Sequence, residues 1–549
     1  MGQHTYQRSP PAFPTLSYVP PQNALGLVFG PPEDCLAQQP RREALSHPSW
    51  KRSGQSLTGP AASPLINKLP AELLALIFTL SVEDEARNLA LSVLHPNCTP
   101  LVVARVCHLW REIAVDLPAL WQHFMLRPCD GRKHRYRVAH TFIKRTQGTG
   151  LHIRYSEDGR SEESHRPVES CSCSLDVILN NLDSILTLEL SGIGKKTATR
   201  LSNAAINARP SIQRFSLGVG ETTLRPDVAQ AISRLYCSPA LRHFEWDSRT
   251  FPCNVPYSRM VTVNLTGCLI AQVYFVNILL SAPHLRELSV KMARLSPTKH
   301  LGVQHDSLRR LSIDGVGAQD NVLDFLHAPQ LTELSLQPLR SLPDGAFYTQ
   351  WPVTTPDVLY NFISRISGGL ESFRLIDTGN LDELALVHLV SLPQMSTLRR
   401  LHLSARAAVA GDQLFYFMLP SQWSGVPTLL PWLENLTLAG CTTTDGMISD
   451  MLRTRRYLRY PLHLVWLGIP HDDQPEVSHR ADIAAFRKLK QYGVEVSLYP
   501  SRFPEATVYI NQVYNRIAYP LEVPRRPWSS KGLSMTPCNE WIAKTRTYV

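Results

Sequence analysis

"LRELSV" (285–290), "LRRLSI" (308–313) and "LTELSL" (331–336) begin 23 residues apart and share the pattern apolar-x-x-apolar-x-apolar. The last three positions alternate apolar, polar, apolar, the period of a short strand with two side chains aimed into one core. The first apolar residue anchors the turn before the strand. Looser copies extend upstream as "ILTLEL" (185–190), "IQRFSL" (212–217), "LRHFEW" (241–246) and "MVTVNL" (260–265). Downstream stand "LESFRL" (370–375), "LRRLHL" (398–403), "LENLTL" (433–438) and "LHLVWL" (462–467). Between them, "VYFVNILLSAP" (273–283) and "NVLDFLHAP" (321–329) carry helix-like apolar spacing and end at proline. A unit of this size buries its apolar face only by stacking on its neighbours, so the pattern predicts a stacked array.

The pattern resembles leucine-rich repeats, although the Asn or Cys usual after the strand is absent. The resemblance implies a curved, irregular solenoid over 181–500. The stretch "DIAAFRKLKQYGVEVSLYP" (482–500) closes it as a helix, a stop at Gly493 and a strand. Residues between the apolar strand positions would line the concave strand face and are candidate target contacts: Glu287, Ser289, Arg310, Ser312, Glu333, Ser335, Arg400 and His402. Simple solvation of an alternating strand produces the same pattern. An alternative target surface is the longer insert at 337–369, whose "WPVTTPDVLYNF" reads as carrying exposed aromatics.

Upstream of the repeats, "INKLPAELLALIFTL" (66–80) and "VCHLWREIAVDLPALW" (106–121) are more apolar than short exposed helices need. Pro70 suits a first helical turn, and Glu72 sits near the positive end of the helix dipole. Leu73, Ile77 and Leu80 follow one face, with Leu74 and Phe78 on a second. The next helix reads as one element, with Val102, Val106, Trp110, Ile113 and Leu117 along one stripe and Val103, Cys107 and Ala114 beside it, ended by Pro118. Apolar faces on two sides of a sixty-residue unit call for a covering partner.

Leu69, Pro70, Glu72, Leu73, Ile77 and Phe78 resemble the opening of the F-box, Leu-Pro-x-Glu-Leu-x-x-x-Ile-Phe. Val106, Cys107, Trp110, Arg111, Ile113 and Ala114 are similar to its second half, and Pro118, Leu120 and Trp121 to the ending of fungal F-box-like proteins. The gap from Phe78 to Val106 is longer than the family's usual one, and His95, Pro96, Asn97 and Pro100 mark a loop or broken helix within it. The resemblance implies docking on the Skp-type adaptor of a cullin–RING ubiquitin ligase. Leu69, Pro70, Leu73, Leu74, Ile77 and Phe78 would be adaptor contacts, with Val106, Cys107 and Trp110 shared between contact and core. A helical cap on the repeat array is the competing reading.

The expected organisation is α/β: a disordered tail over 1–64 holding eleven prolines, a helical F-box-like module over 65–126, a linker and cap region over 127–180, the solenoid over 181–500 and a tail over 501–549. A net charge of +10 would suit an anionic partner, but the basic stretches "GRKHRYRVAHTFIKR" (131–145) and "RTRRYLR" (453–459) lack interleaved stacking aromatics and read as solvated surface. Nucleic acid is therefore not the expected partner, although a nucleic-acid-binding solenoid and a plain scaffold stay as alternatives.

Eleven scattered cysteines without any C-x-x-C read as reduced thiols; Cys171 and Cys173 lack a second pair, and no metal is expected. No signal segment or membrane span is visible, and Tyr6 spoils a myristoylation match, so an intracellular location in cytoplasm or nucleus is expected. At "LTLELSGIGKKT" (186–197), Glu189 occupies the first glycine position of a phosphate loop, and Lys196 follows Lys195. No catalytic cassette emerges, and neither enzyme activity nor a cofactor is expected.

Overall fold

A computed structural model describes residues 65–88, 98–128, 134–157, 173–208, 210–218, 226–293, 302–315, 319–339, 351–377, 381–405, 410–420, 428–458, 462–470 and 478–501. The expected tails, the loop after residue 88, Cys171 and part of the 337–369 insert lie outside them. The described residues from 68 to 501 fall in one compact unit. It is a mixed α/β structure with a helical region at 71–126 followed by an open parallel sheet.

The helical region consists of α1 (Ala71–Asn88), α2 (Thr99–Val106), α3 (His108–Asp116) and a 3-10 turn at Pro118–Trp121. The single second helix expected from periodicity is thus two. Cys107 breaks it in an extended conformation (φ −156°, ψ 178°), and its Sγ accepts the Trp110 N–H as an N-cap. Apolar spacing runs through the break undisturbed, which is why the pattern alone does not show it.

Eighteen strands are described: β1 (His123–Leu126), β2 (Leu151–Ser156), β3 (Ile185–Ser191), β4 (Arg214–Gly218), β5 (His243–Asp247), β6 (Thr262–Ile270), β7 (Glu287–Met292), β8 (Val303–Gln304), β9 (Arg310–Gly315), β10 (Leu326–His327), β11 (Glu333–Pro338), β12 (Ser372–Asp377), β13 (Arg400–Ala405), β14 (Ala410–Gly411), β15 (Asn435–Ala439), β16 (Cys441–Thr442), β17 (Leu464–Pro470) and β18 (Glu495–Ser501). Fourteen form one sheet in strict chain order, from β1 to β18; β8 with β10 and β14 with β16 make two small pairs beside it. All pairings are parallel, and the connections carry helices such as Lys195–Asn207, Pro226–Tyr236, Gln272–Ser281 and Pro356–Ser364.

All eleven hexapeptides lie on this sheet. Their first, fourth and sixth residues are buried, none more than 7% exposed. Their third residues fall in a single register row: Thr187, Arg214, His243, Thr262, Glu287, Arg310, Glu333, Ser372, Arg400, Asn435 and Leu464. The row begins two strands earlier than the hexapeptides, at His123 and His152, inside the helical module and the expected linker.

Trp121 joins the helices to the sheet. It is fully buried, its indole N–H donates to the Ala114 carbonyl (2.7 Å), and its ring meets Phe142 of α4 (His134–Arg145) edge-on at 4.7 Å.

Two surface expectations change here. Arg455, in the supposedly solvated basic stretch, is a fully buried core residue on the helix Met447–Arg455; it donates to the carbonyls of Met418, Leu429 and Leu430 at 2.6–3.1 Å. The described aromatics of the 337–369 insert, Trp351, Tyr360 and Phe362, pack inward. Trp351 and Phe362 are buried, and the Tyr360 hydroxyl donates to the Ala385 carbonyl (2.7 Å), because the helix Pro356–Ser364 supplies its apolar stripe to the core.

Candidate functional site

Helix α1 presents two apolar faces with opposite fates. Leu74, Phe78 and Val82, four residues apart, are buried against Val103, Ala114 and Leu120. Leu73 (46% exposed), Leu76 (54%), Ile77 (41%) and Leu80 (55%) stand outside. Across from α1, Val102, Val106 (55%) and Leu109 are also exposed. An eighteen-residue helix with uncovered leucines along one side, next to α2 and α3 with Val102, Val106 and Leu109 uncovered, is an apolar patch of the sort that marks an interaction site.

The patch is held rigidly. The Trp110 ring lies 4.9 Å from Phe78, and the Arg111 guanidinium donates to the Ala104 carbonyl (3.0 Å). The carboxylate of Glu85 on α1 accepts the Thr99 N–H (2.7 Å), capping α2 where its own N-cap residue, Cys98, makes no side-chain capping bond. Burial pushes the Cys98 thiol up to about 11, so it stays protonated and behaves as a small apolar core residue.

Of the nine expected adaptor residues, Leu73, Ile77 and Val106 are exposed apolar side chains, and Pro70 is exposed beside them. Leu69, Cys107 and Trp110 are half-buried. Leu74 and Phe78 face the domain's own core and line no outer surface. Leu76, Leu80, Val102 and Leu109 extend the exposed patch; the three- and four-residue spacing from Leu73 carries all the α1 members.

The second candidate surface is the outward side of the sheet. Glu287, Arg310, Glu333 and Arg400 are brought together as a ladder: Arg310 lies 3.0 Å from Glu287 and 3.1 Å from Glu333, and Arg400 reaches over Ser372 to Glu333 at 3.0 Å. Ser289, Ser312 and Ser335 form the adjacent row, in register with one another. His402 departs from expectation, being buried. It stands between Arg374 and Thr437, where the small serines give way to larger side chains that shield one another.

At the start of the sheet His123 stacks on His152 (4.7 Å, 12°). Burial, and then the neighbouring His152, hold His123 down at about 4.

Two other groupings are structural. Asp445, His479 and Asp482 place ligand atoms within 4.8 Å of one another. Their carboxylates already accept the N–H groups of Ala481, Asp482 and Ser449, and so staple two helices together. In the basic stretches, Arg453 pairs with Asp450, Arg456 stacks on Tyr457 and Tyr492, and Arg145 lies over Trp121. Among the described residues no helix is long and apolar enough to cross a membrane.

A family profile described as F-box-like matches residues 66–127. This segment is an F-box-like domain. Its bounds enclose α1 to α3, the Trp121 turn and β1, so the F-box-like domain includes the first strand of the sheet. No curated protein matches the chain. The exposed leucine patch belongs to the F-box-like domain; the charge ladder lies outside it.

Proposed function

We propose that this chain is a substrate receptor of a Skp–cullin–F-box ubiquitin ligase, with the F-box-like domain docking on the Skp-type adaptor and the sheet surface holding a target protein. The observation that carries the reading is the uncovered apolar patch of Leu73, Leu76, Ile77, Leu80 and Val106 above a core already filled by Leu74, Phe78 and Val82. A helical cap on an array has its apolar side turned to that array and needs no second one.

The later part of the chain is read as an irregular leucine-rich-repeat solenoid. The strict chain order of fourteen parallel strands and the single row of third-position residues support this. The receptor has no active site of its own. It acts by raising the effective concentration of its target beside a ubiquitin-loaded enzyme elsewhere in the ligase.

The test is co-purification of the full chain with a purified Skp-type adaptor. Leu73→Asp and Ile77→Asp are expected to abolish binding while leaving the melting temperature within a few degrees of wild type. Leu74→Ala is expected to cost about 2–5 kcal/mol of stability through the cavity it leaves. A well-folded wild-type chain that does not bind the adaptor would refute the receptor reading and leave the helices as a cap.

A further inference from the structure

The register row has two halves of different character. From Glu287 onward its cations are balanced: Arg310 lies between Glu287 and Glu333, and Arg400 adds to Glu333. The first half runs His123, His152, Thr187, Arg214, His243, Thr262 across β1 to β6. Arg214 is exposed there and has no carboxylate partner among the described residues. The nearby acids are committed elsewhere. Glu189 pairs with Arg154, Glu245 accepts from Ser216 and Asn264, and Glu287 holds Arg310.

Two imidazoles flank this cation in register, each tied by one ring nitrogen. His152 Nδ1 is 2.9 Å from the Thr187 hydroxyl, and His243 Nδ1 is 3.2 Å from that of Thr262. Adjacent strands lie about 4.8 Å apart, so Arg214 stands one strand from His243 and two from His152.

We propose that His152, Arg214 and His243 form an anion-recognition site on the sheet face, taking a carboxylate or phosphate group carried by a peptide segment of the target. The proposal rests on reading the sheet face as the target surface, and narrows it to β2–β6. A guanidinium fork binds either oxyanion in two-pronged fashion, and each imidazole adds a donor through its second nitrogen. Glu189 and Glu245 in the next row would repel a continuous polyanion, which favours a peptide with isolated anionic groups over a nucleic-acid backbone.

The site carries its own pH signature. Burial first, then the charge of Arg214, lowers both histidines. Around His152 stand His123, Arg154, Thr187 and Glu189; around His243 stand Arg242, Glu245, Thr262 and Glu287. A bound anion offsets Arg214 and raises both imidazoles, so binding of a glutamate peptide takes up protons and strengthens as pH falls toward the histidines' lowered range.

The experiment is fluorescence anisotropy on the full chain with three labelled peptides. They share a Gly/Ser background and carry paired glutamates, paired phosphoserines or paired glutamines. The glutamate or phosphoserine peptide is expected to bind, and the tighter of the two identifies the source of the anion. Arg214→Gln should weaken binding about tenfold or more, with Arg214→Lys in between and Arg487→Gln, on a remote helix, unchanged. All variants should melt like the wild type, and the His152→Gln/His243→Gln pair should flatten the pH dependence. Equal binding of the glutamine peptide, absence of binding by both anionic peptides, or an Arg214→Gln chain that binds like wild type would each overturn the site. Adaptor co-purification is read separately, so loss of this site and loss of the receptor reading give different results.

Discussion

Arg455 shows how little a local charge pattern says about position. Its neighbours Arg453 and Arg456 lie at the surface, one on a carboxylate and one on tyrosine rings, while Arg455 is enclosed and donates to three backbone carbonyls. Burial, with no counter-ion among the described residues, brings its guanidinium down to about 10, still charged at neutral pH. Five fixed donors allow one side chain to satisfy carbonyls from both ends of the 418–430 segment. Arg455→Met is therefore expected to destabilise the protein by on the order of 3 kcal/mol, because carbonyls left unpaired outweigh relief of the buried charge. Arg455→Lys should fall between, since a single ammonium cannot reach all three. Urea midpoints of the two variants check this.

Elements were legible in the sequence where one period ran uninterrupted. The eleven hexapeptides stand out because every first, fourth and sixth residue is apolar, and burial demands that. Strands β1 and β2 escaped for identifiable reasons. In "WQHFML" (121–126) the anchor is Trp121, which also ends the F-box-like motif. In "GLHIRY" (150–155) the anchor position is Gly150, at φ +92°, with the Leu186 side chain filling the space a Cβ would need. The break between α2 and α3 was hidden because a cysteine cap looks like one more apolar residue. The α1 patch was half legible. Periodicity separated the two stripes, but only packing shows that the Leu74 stripe points inward. The Arg214 site was not legible, since it depends on register between strands.

At this scale the α1–α2 junction is also testable. Glu85→Gln weakens a charge-assisted cap on Thr99, and the expected loss is about 1 kcal/mol with adaptor binding retained.

Across the described residues from 68 to 501, helices and sheet share one hydrophobic core. Trp121, Phe124 and Phe142 are common to both, so the F-box-like domain ends inside the sheet. A fragment of residues 65–126 is expected to lack cooperative melting by circular dichroism, because Trp121 and Phe124 lose the surface that covers them. Extending it to residue 218, through β4, should restore a sigmoidal transition.

The charge ladder also has an arithmetic. Along Glu287, Arg310 and Glu333 sign alternates with strand number, so each strand carries a parity as well as a place. Excising a single unit, residues 308–330, would bring Glu333 beside Glu287, like against like, whereas excising a pair of units would preserve the alternation downstream. Each exposed pair is worth only about 0–1 kcal/mol, so the repulsion left by losing that one unit is small, but its sign is set by which strand is removed.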